Sequence, residues 1–219
     1  MLEQWTRSGA GRRCWFAGYY DRFLARLEQV LQPTRRDLVS NAGSSVLELG
    51  FGTGANWAVR ETAPARYVGL EPDAAMLEVA RRKFPRLPWL VQGEGEFACF
   101  PREAFDTVLV TLALCSVADP RRVLQESYRV LAPGGCLLYL EHVRGRAFRG
   151  RLQDLLTPIW RLPACGCHLN RETERLIQAV GFRIERRQVL VPPLQFLPAP
   201  VRWLGGLVGP WVAGVARRP

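Results

Sequence analysis

The segment Val46-Leu47-Glu48-Leu49-Gly50-Phe51-Gly52-Thr53-Gly54-Ala55 constrains this chain more than any other. An apolar run carrying one acidic residue passes into three glycines at alternate positions. A second strand-like run, Tyr67-Val68-Gly69-Leu70-Glu71-Pro72, carries another carboxylate near its end. The pattern predicts a strand, a tight glycine-rich turn, a helix start and a second strand. On an open α/β sheet, ligands bind beyond the carboxyl ends of the strands. Glycine permits the turn and lets a ligand approach the backbone closely. Glu71 is placed to accept hydrogen bonds from ribose hydroxyls. The segment reads as a nucleoside-cofactor site; the alternative is a glycine-rich turn that holds no ligand.

The spacing narrows the cofactor. A dinucleotide site asks for G-x-G-x-x-G, with a pyrophosphate on the helix N-terminus. Here the spacing is G-x-G-x-G, led by Glu48. A carboxylate in that turn repels a pyrophosphate and suits a cation. S-adenosylmethionine carries a sulfonium and an α-ammonium and no phosphate.

The run Glu48 to Gly54 resembles the first motif of class I S-adenosylmethionine-dependent methyltransferases. The likeness continues in order. Gln92-Gly93-Glu94-Gly95-Glu96 resembles the acidic loop that holds adenine, and Ala104 to Val110 the fourth strand. Glu126-Ser127-Tyr128-Arg129-Val130-Leu131-Ala132-Pro133-Gly134-Gly135 resembles the helix and turn before the fifth. A narrower resemblance is to the methyltransferase-like alkyl-thiol methyltransferases. It rests on Thr111-Leu112-Ala113-Leu114-Cys115-Ser116-Val117, Glu141-His142-Val143, Pro158-Ile159-Trp160 and Cys165-Gly166-Cys167-His168-Leu169-Asn170-Arg171-Glu172-Thr173. It extends more weakly to Pro193-Leu194 and to Gly209 to Gly214. The menaquinone and ubiquinone C-methyltransferases are similar more distantly.

These resemblances imply an α/β fold: a Rossmann-like, seven-stranded, mostly parallel sheet with an antiparallel last strand. An N-terminal helical lid and a helical insertion after strand five complete it. The chain is expected to be one domain over 1–219, with a lid at 1–44, a cofactor-binding core at 45–141 and substrate-side segments at 142–219. The periodicity agrees. Apolar residues at three- and four-residue spacing predict a helix over 19–31, and Pro33 would begin a second. Strands are expected at 45–49, 66–70, 89–91, 106–110, 136–141 and 182–189, and an antiparallel strand within 208–216. Asp73 and Asp119 should cap helices reaching about Phe84 and Leu131. Further helices are expected at 151–160 and from Asn170 or Thr173 to Gly181.

Composition bounds the partners. The net charge is +10, and Lys83 is the only lysine. One basic cluster, Arg144 to Arg151, could face phospholipid headgroups or be solvated. Nucleic acid is not expected, since no basic stretch interleaved with aromatics or added binding module is present. No window offers about 18 apolar residues free of charge, as a spanning helix requires. The animal members of the resembled thiol group carry an N-terminal anchor, and Met1 to Arg7 shows none. The expectation is a cytoplasmic protein, with peripheral contact with membrane as the alternative. The six cysteines show no disulfide framework. Cys165-Gly166-Cys167-His168 has no second cysteine pair and makes a poor zinc site, so no metal is expected.

The resemblance implies roles for particular residues. Gly50, Gly52 and Gly54 pass close to the methionine portion and ribose, and Glu48 orients the turn and holds the ammonium through water. Glu71 and Pro72 flank the ribose, Met76 packs on adenine, and Glu94, Gly95 and Glu96 surround its amino edge. Thr111 and Leu112 reach the methionine portion. Tyr19 and Tyr20 close over the cofactor or pack in the first helix. Cys115, Trp160, Cys167 and His168 are candidates to line a pocket for a small lipophilic acceptor. His142, at the end of strand five, could be a general base or a histidine bonded to nearby backbone. Asp106 lies at the opposite strand end and is expected to be structural. The implied reaction is methyl transfer from S-adenosylmethionine to a thiol sulfur. The alternatives are a quinone or phospholipid acceptor, or a non-catalytic protein that binds the cofactor.

Overall fold

The computed structural model of the protein describes residues 17–162, 164, 166–190 and 209–219, with side chains from residue 28 onward. Seven strands form one sheet: β1 Ser45–Leu49, β2 Arg66–Glu71, β3 Trp89–Gln92, β4 Phe105–Thr111, β5 Leu131–His142, β6 Arg183–Leu190 and β7 Trp211–Arg217. Their order is β3-β2-β1-β4-β5-β7-β6. β7 runs antiparallel to both neighbours, and the remaining pairs are parallel. Among the described residues six helices accompany the sheet: α1 Ala17–Ser40, α2 Ala55–Ala58, α3 Ala74–Lys83, α4 Pro120–Val130, α5 Ala147–Trp160 and α6 Thr173–Val180.

The central strands are apolar and buried on both faces, as a parallel sheet covered by helices requires. On one face, Leu47, Val108, Val110, Leu137 and Tyr139 pack with Val123, Leu124 and Val130 of α4 and Ile177 of α6. On the other, Val46, Leu109, Leu138 and Leu140 pack with Leu31, Leu38 and Val39 of α1 and Leu77 and Ala80 of α3. The C-terminal half of α1 is therefore a core layer. The edge strand β6 is largely exposed and carries Arg183, Arg186 and Arg187, charges that discourage pairing with another sheet. The strand order reverses between β1 and β4, and a crevice at the carboxyl ends of such strands is where an open α/β sheet binds its ligand.

The two aspartate caps form as expected. The Asp73 side chain accepts from Ala75 N and that of Asp119 from Arg122 N. Gly181 closes α6 in the left-handed region, at φ 114°. The strand ends otherwise shift by a residue or so, and three boundaries differ by more. Pro33 lies inside α1 and does not begin a second helix. Proline there removes the hydrogen bond to the Gln29 carbonyl, but a two-pronged pair between Arg35 and Glu28, at 2.9 and 3.0 Å, spans the gap. β5 starts at Leu131, five residues early, because Phe105 still pairs with Leu131 across a register shift. α5 starts at Ala147, four residues early.

Candidate active site

The turn after β1 has an unusual backbone. Gly50, Gly52 and Gly54 all take positive φ, at 74°, 56° and 87°. A methyl group on Gly50 would stand 2.6 Å from Ala113 Cβ, whereas one on Gly52 would meet nothing within 4 Å among the described residues. Gly50 is thus a close approach between two loops, and Gly52 opens onto space that no described residue fills. The Glu71 carboxylate closes one side: Oε2 accepts from Gly52 N at 2.9 Å and Oε1 from Asp73 N at 3.0 Å. Burial raises its pKa, and the two backbone donors oppose that shift.

Glu48 is 1% exposed and turns beneath the glycine turn. It accepts from Asn56 Nδ2 at 2.7 Å and from the Tyr67 hydroxyl. Burial pushes its pKa up to about 7, against those hydrogen bonds and the nearby Arg35. Asn56 also donates to Thr111 Oγ1 at 2.8 Å, and Arg35 Nη1 donates to Asn56 Oδ1 and Thr111 Oγ1 at 2.8 and 2.6 Å. One buried network therefore ties α1, the glycine turn and the end of β4 together. Both Glu48 oxygens are bonded within the protein, to Asn56 just after the glycine turn and to Tyr67 in β2.

The loop after β4 forms the opposite wall. Leu112 has φ 54°, a strained backbone for a branched side chain. Its N–H donates to Leu140 O at 2.7 Å. Glu141, fully buried, accepts from Ala113 N and Leu114 N at 2.9 and 2.8 Å and from Cys115 N at 3.1 Å. Burial holds the Glu141 carboxyl well above the usual carboxylate range.

The segment after α5 returns to this loop. His168 N donates to Cys115 O at 2.7 Å. Arg171 donates to Leu114 O and, at 2.6 Å, to Val117 O. His168 Nδ1 lies 3.2 Å from Cys115 O, and burial and Arg171 lower its pKa. Cys167 Sγ stands 3.4 Å from His142 Nδ1. The His142 ring packs edge-on against Trp211 at 5.2 Å. The Cys115 thiol is held well above its usual range by its hydrogen bond to Cys167 and by burial.

The residues singled out in the sequence fall into two bonded groups, the glycine turn with Glu71 and the loop after β4 with Cys115, His142, Cys167 and His168. Met76 is buried in α3. Glu94 and Gly95 are half-buried at a short 3-10 turn. Glu96 faces elsewhere: Oε1 accepts from Ala118 N and Asp119 N at 3.0 and 3.2 Å, tying the turn to the start of α4. The Tyr19 and Tyr20 side chains and all of Cys165 lie outside the described residues. Asp106 is structural, its Oδ2 accepting from Ser44 N and Ser45 N at 2.9 Å each. Sequence reading misses Asn56, Arg35 and Glu141. A separate cavity of about 490 Å³ is lined by Arg144, Arg175 and Arg187 among others, and those three are paired with Asp154, Glu172 and Glu174. None of the cofactor-motif residues lines it.

The fit to S-adenosylmethionine rests on the free space above Gly52 and the carboxylate that borders it. No basic side chain of the kind a pyrophosphate needs is bonded to that turn among the described residues, apart from Lys83, 3.4 Å from Thr53 Oγ1. Residues 47–139 match the family model described as a methyltransferase domain. The rat thiol S-methyltransferase TMT1B is 33% identical over 88% of this chain and 81% of its own. The human thiol S-methyltransferase TMT1A is 30% identical over 92% and 85%. Among solved structures, a Thermotoga maritima S-adenosylmethionine-dependent methyltransferase, a possible histamine N-methyltransferase, superposes with a TM-score of 0.69. It is 22% identical and covers 93% of this chain and 97% of that one, a likeness of fold.

Proposed function

The chain belongs to the S-adenosylmethionine-dependent methyltransferases, in the family of the thiol S-methyltransferases TMT1A and TMT1B, and from that premise we propose that its acceptor is the sulfur of a small lipophilic thiol. The observation that carries this is the span of the likeness. It covers 88% of the chain and so extends beyond the cofactor-binding residues 47–139 into the acceptor side.

When bound, S-adenosylmethionine supplies an electrophilic methyl group that an in-line displacement delivers to a nucleophile. The protein's part is alignment and exclusion of water. Glu71 would accept from the ribose hydroxyls, Gly52 would let that group lie against the backbone, and Met76 would pack on the base. Leu112 to Cys115, clamped by Glu141, would form the wall between cofactor and acceptor. A thiol has a pKa near 8.5, so part of it is already thiolate at neutrality.

α5 supports contact with a lipid surface. Phe148, Leu155, Ile159 and Leu162 are each about 70% exposed or more. Arg149, Arg151 and Arg161 are exposed alongside them. Such a face suits a peripheral site where lipophilic acceptors concentrate.

The test is turnover of S-adenosylmethionine with an alkyl thiol, hydrogen sulfide, a demethylmenaquinone analogue and phosphatidylethanolamine vesicles. Selective turnover with thiols is expected. Turnover only with the quinone or the lipid would keep the cofactor site and overturn the acceptor.

A further inference from the structure

The loop after β4, the last residue of β5 and the segment after α5 bring two thiols and an imidazole together. The ligand atoms of Cys115, His142 and Cys167 all lie within 4.8 Å of one another. The three residues are 1%, 9% and 6% exposed. Thiolate sulfur and imidazole nitrogen are the donors that zinc selects. Tetrahedral bonds of about 2.3 Å to sulfur and about 2.0 Å to nitrogen place neighbouring S and N about 3.5 Å apart. The Cys167 Sγ to His142 Nδ1 distance of 3.4 Å already matches that edge.

The cluster is held in place yet poorly satisfied. Cys115 N is bonded to Glu141 Oε2 at 3.1 Å, and Cys115 O accepts from His168 N at 2.7 Å. Beside the Cys167 thiol, the Cys115 sulfur has only weak contacts, 3.5 Å from both Leu112 O and Ser116 Oγ. His142 Nε2 is buried with no hydrogen-bond partner among the described residues. Buried polar atoms are usually paired, and such exceptions point to an unfilled role.

We propose that Cys115, His142 and Cys167 bind one zinc ion whose fourth position is open to the thiolate of the acceptor. The second half rests on the thiol reading of the acceptor; the first half does not. Two thiolates and one divalent ion make a neutral unit, which suits a buried place. Binding the ion releases both cysteine protons to solvent. The acceptor R–SH exchanges with a water at the fourth position, a Zn–S bond forms, and the S–H proton leaves to solvent. His142 is then a ligand and not a free base, and the ion keeps the acceptor ionised below its own pKa. Only the fold makes this site, since its three ligands come from separate elements and none has metal spacing in the sequence.

The experiment is elemental analysis of protein purified under reducing conditions without chelator, followed by cobalt(II) substitution. About one zinc per chain is expected, and the cobalt form should show the intense visible bands of a tetrahedral thiolate site. Adding an alkyl thiol should shift them. Cys115→Ser and Cys167→Ser should lose metal to a competing chelator at least tenfold more readily, and Cys99→Ser, at an exposed cysteine, should not. Wild-type protein with no zinc and no cobalt bands overturns the site, as does a Cys115–Cys167 disulfide in the purified protein. Cobalt bands indifferent to thiol overturn the fourth-position assignment alone. Bound zinc without thiol turnover would sink the acceptor reading and keep the metal site.

Discussion

The Glu71 carboxylate lies 2.9 Å from the Gly52 N–H, so the acid that ends β2 is bonded to the middle glycine of the turn that ends β1. Two motifs 19 residues apart form one wall of one site. Glu71→Ala removes the proposed ribose acceptor and frees the Gly52 and Asp73 N–H groups. Cofactor affinity should fall at least about tenfold, roughly 1.4 kcal/mol, as measured by calorimetry. Unchanged affinity in a folded variant would remove Glu71 from the site.

Gly52→Ala separates ligand contact from backbone strain. Alanine at φ 56° costs about 1 kcal/mol of stability, and no atom of the described residues lies within 4 Å of the new methyl group. Affinity for S-adenosylmethionine should fall by more than that strain accounts for. A variant that loses stability but binds normally would show that the space above Gly52 is not where the cofactor lies.

Asn56 is the hub between Arg35, Glu48 and Thr111. Asn56→Ala leaves a buried guanidinium and a buried carboxyl short of partners, which should cost about 2–4 kcal/mol. Urea denaturation reads this directly. A loss under about 0.5 kcal/mol, the range of ordinary surface changes, would show that the network does not hold the turn.

Glu48 makes a pH-dependent contribution. Its folded pKa is raised to about 7 by burial, so the folded protein keeps a proton that the unfolded chain releases near pH 4.5. Its contribution is full below the unfolded pKa and is lost as pH rises through about 7. Relative to Glu48→Gln, the wild type should lose up to about 3 kcal/mol over that window. Thermal denaturation of both proteins at several pH values is the check; a constant difference contradicts the shift.

The apolar face of α5 should govern adsorption to lipid. Leu155→Glu with Ile159→Glu should weaken binding to anionic vesicles about tenfold or more and leave turnover of a water-soluble thiol intact. Equal sedimentation of the variant and wild type with vesicles would show that this face does not hold the protein to lipid.

The sequence is legible where a rule acts over a few residues. Asp73 and Asp119 cap helices, and Gly181 ends one, because those signals are local. The glycine turn and Glu71 are legible because alternating glycines and a strand-end acid have few other uses. Pro33 misleads because the propensity rule ignores the Arg35–Glu28 pair and the burial of Leu31 and Leu38 around it. Arg35, Asn56 and Thr111 escape grouping, since 76 residues separate the first from the last. Glu96 looks like an adenine ligand by position in its loop, and the fold turns it toward α4. Cys115, His142 and Cys167 are read from the sequence as lining one acceptor pocket, but only the return of the segment after α5 brings their ligand atoms within 4.8 Å of one another.

The most direct test of the account is a single-turnover reaction with S-adenosylmethionine labelled on its methyl group and one alkyl thiol, followed by mass analysis of both products. The account predicts the label on sulfur, as a methyl thioether formed in equal amount to S-adenosylhomocysteine. Tight cofactor binding with no labelled thioether would contradict it.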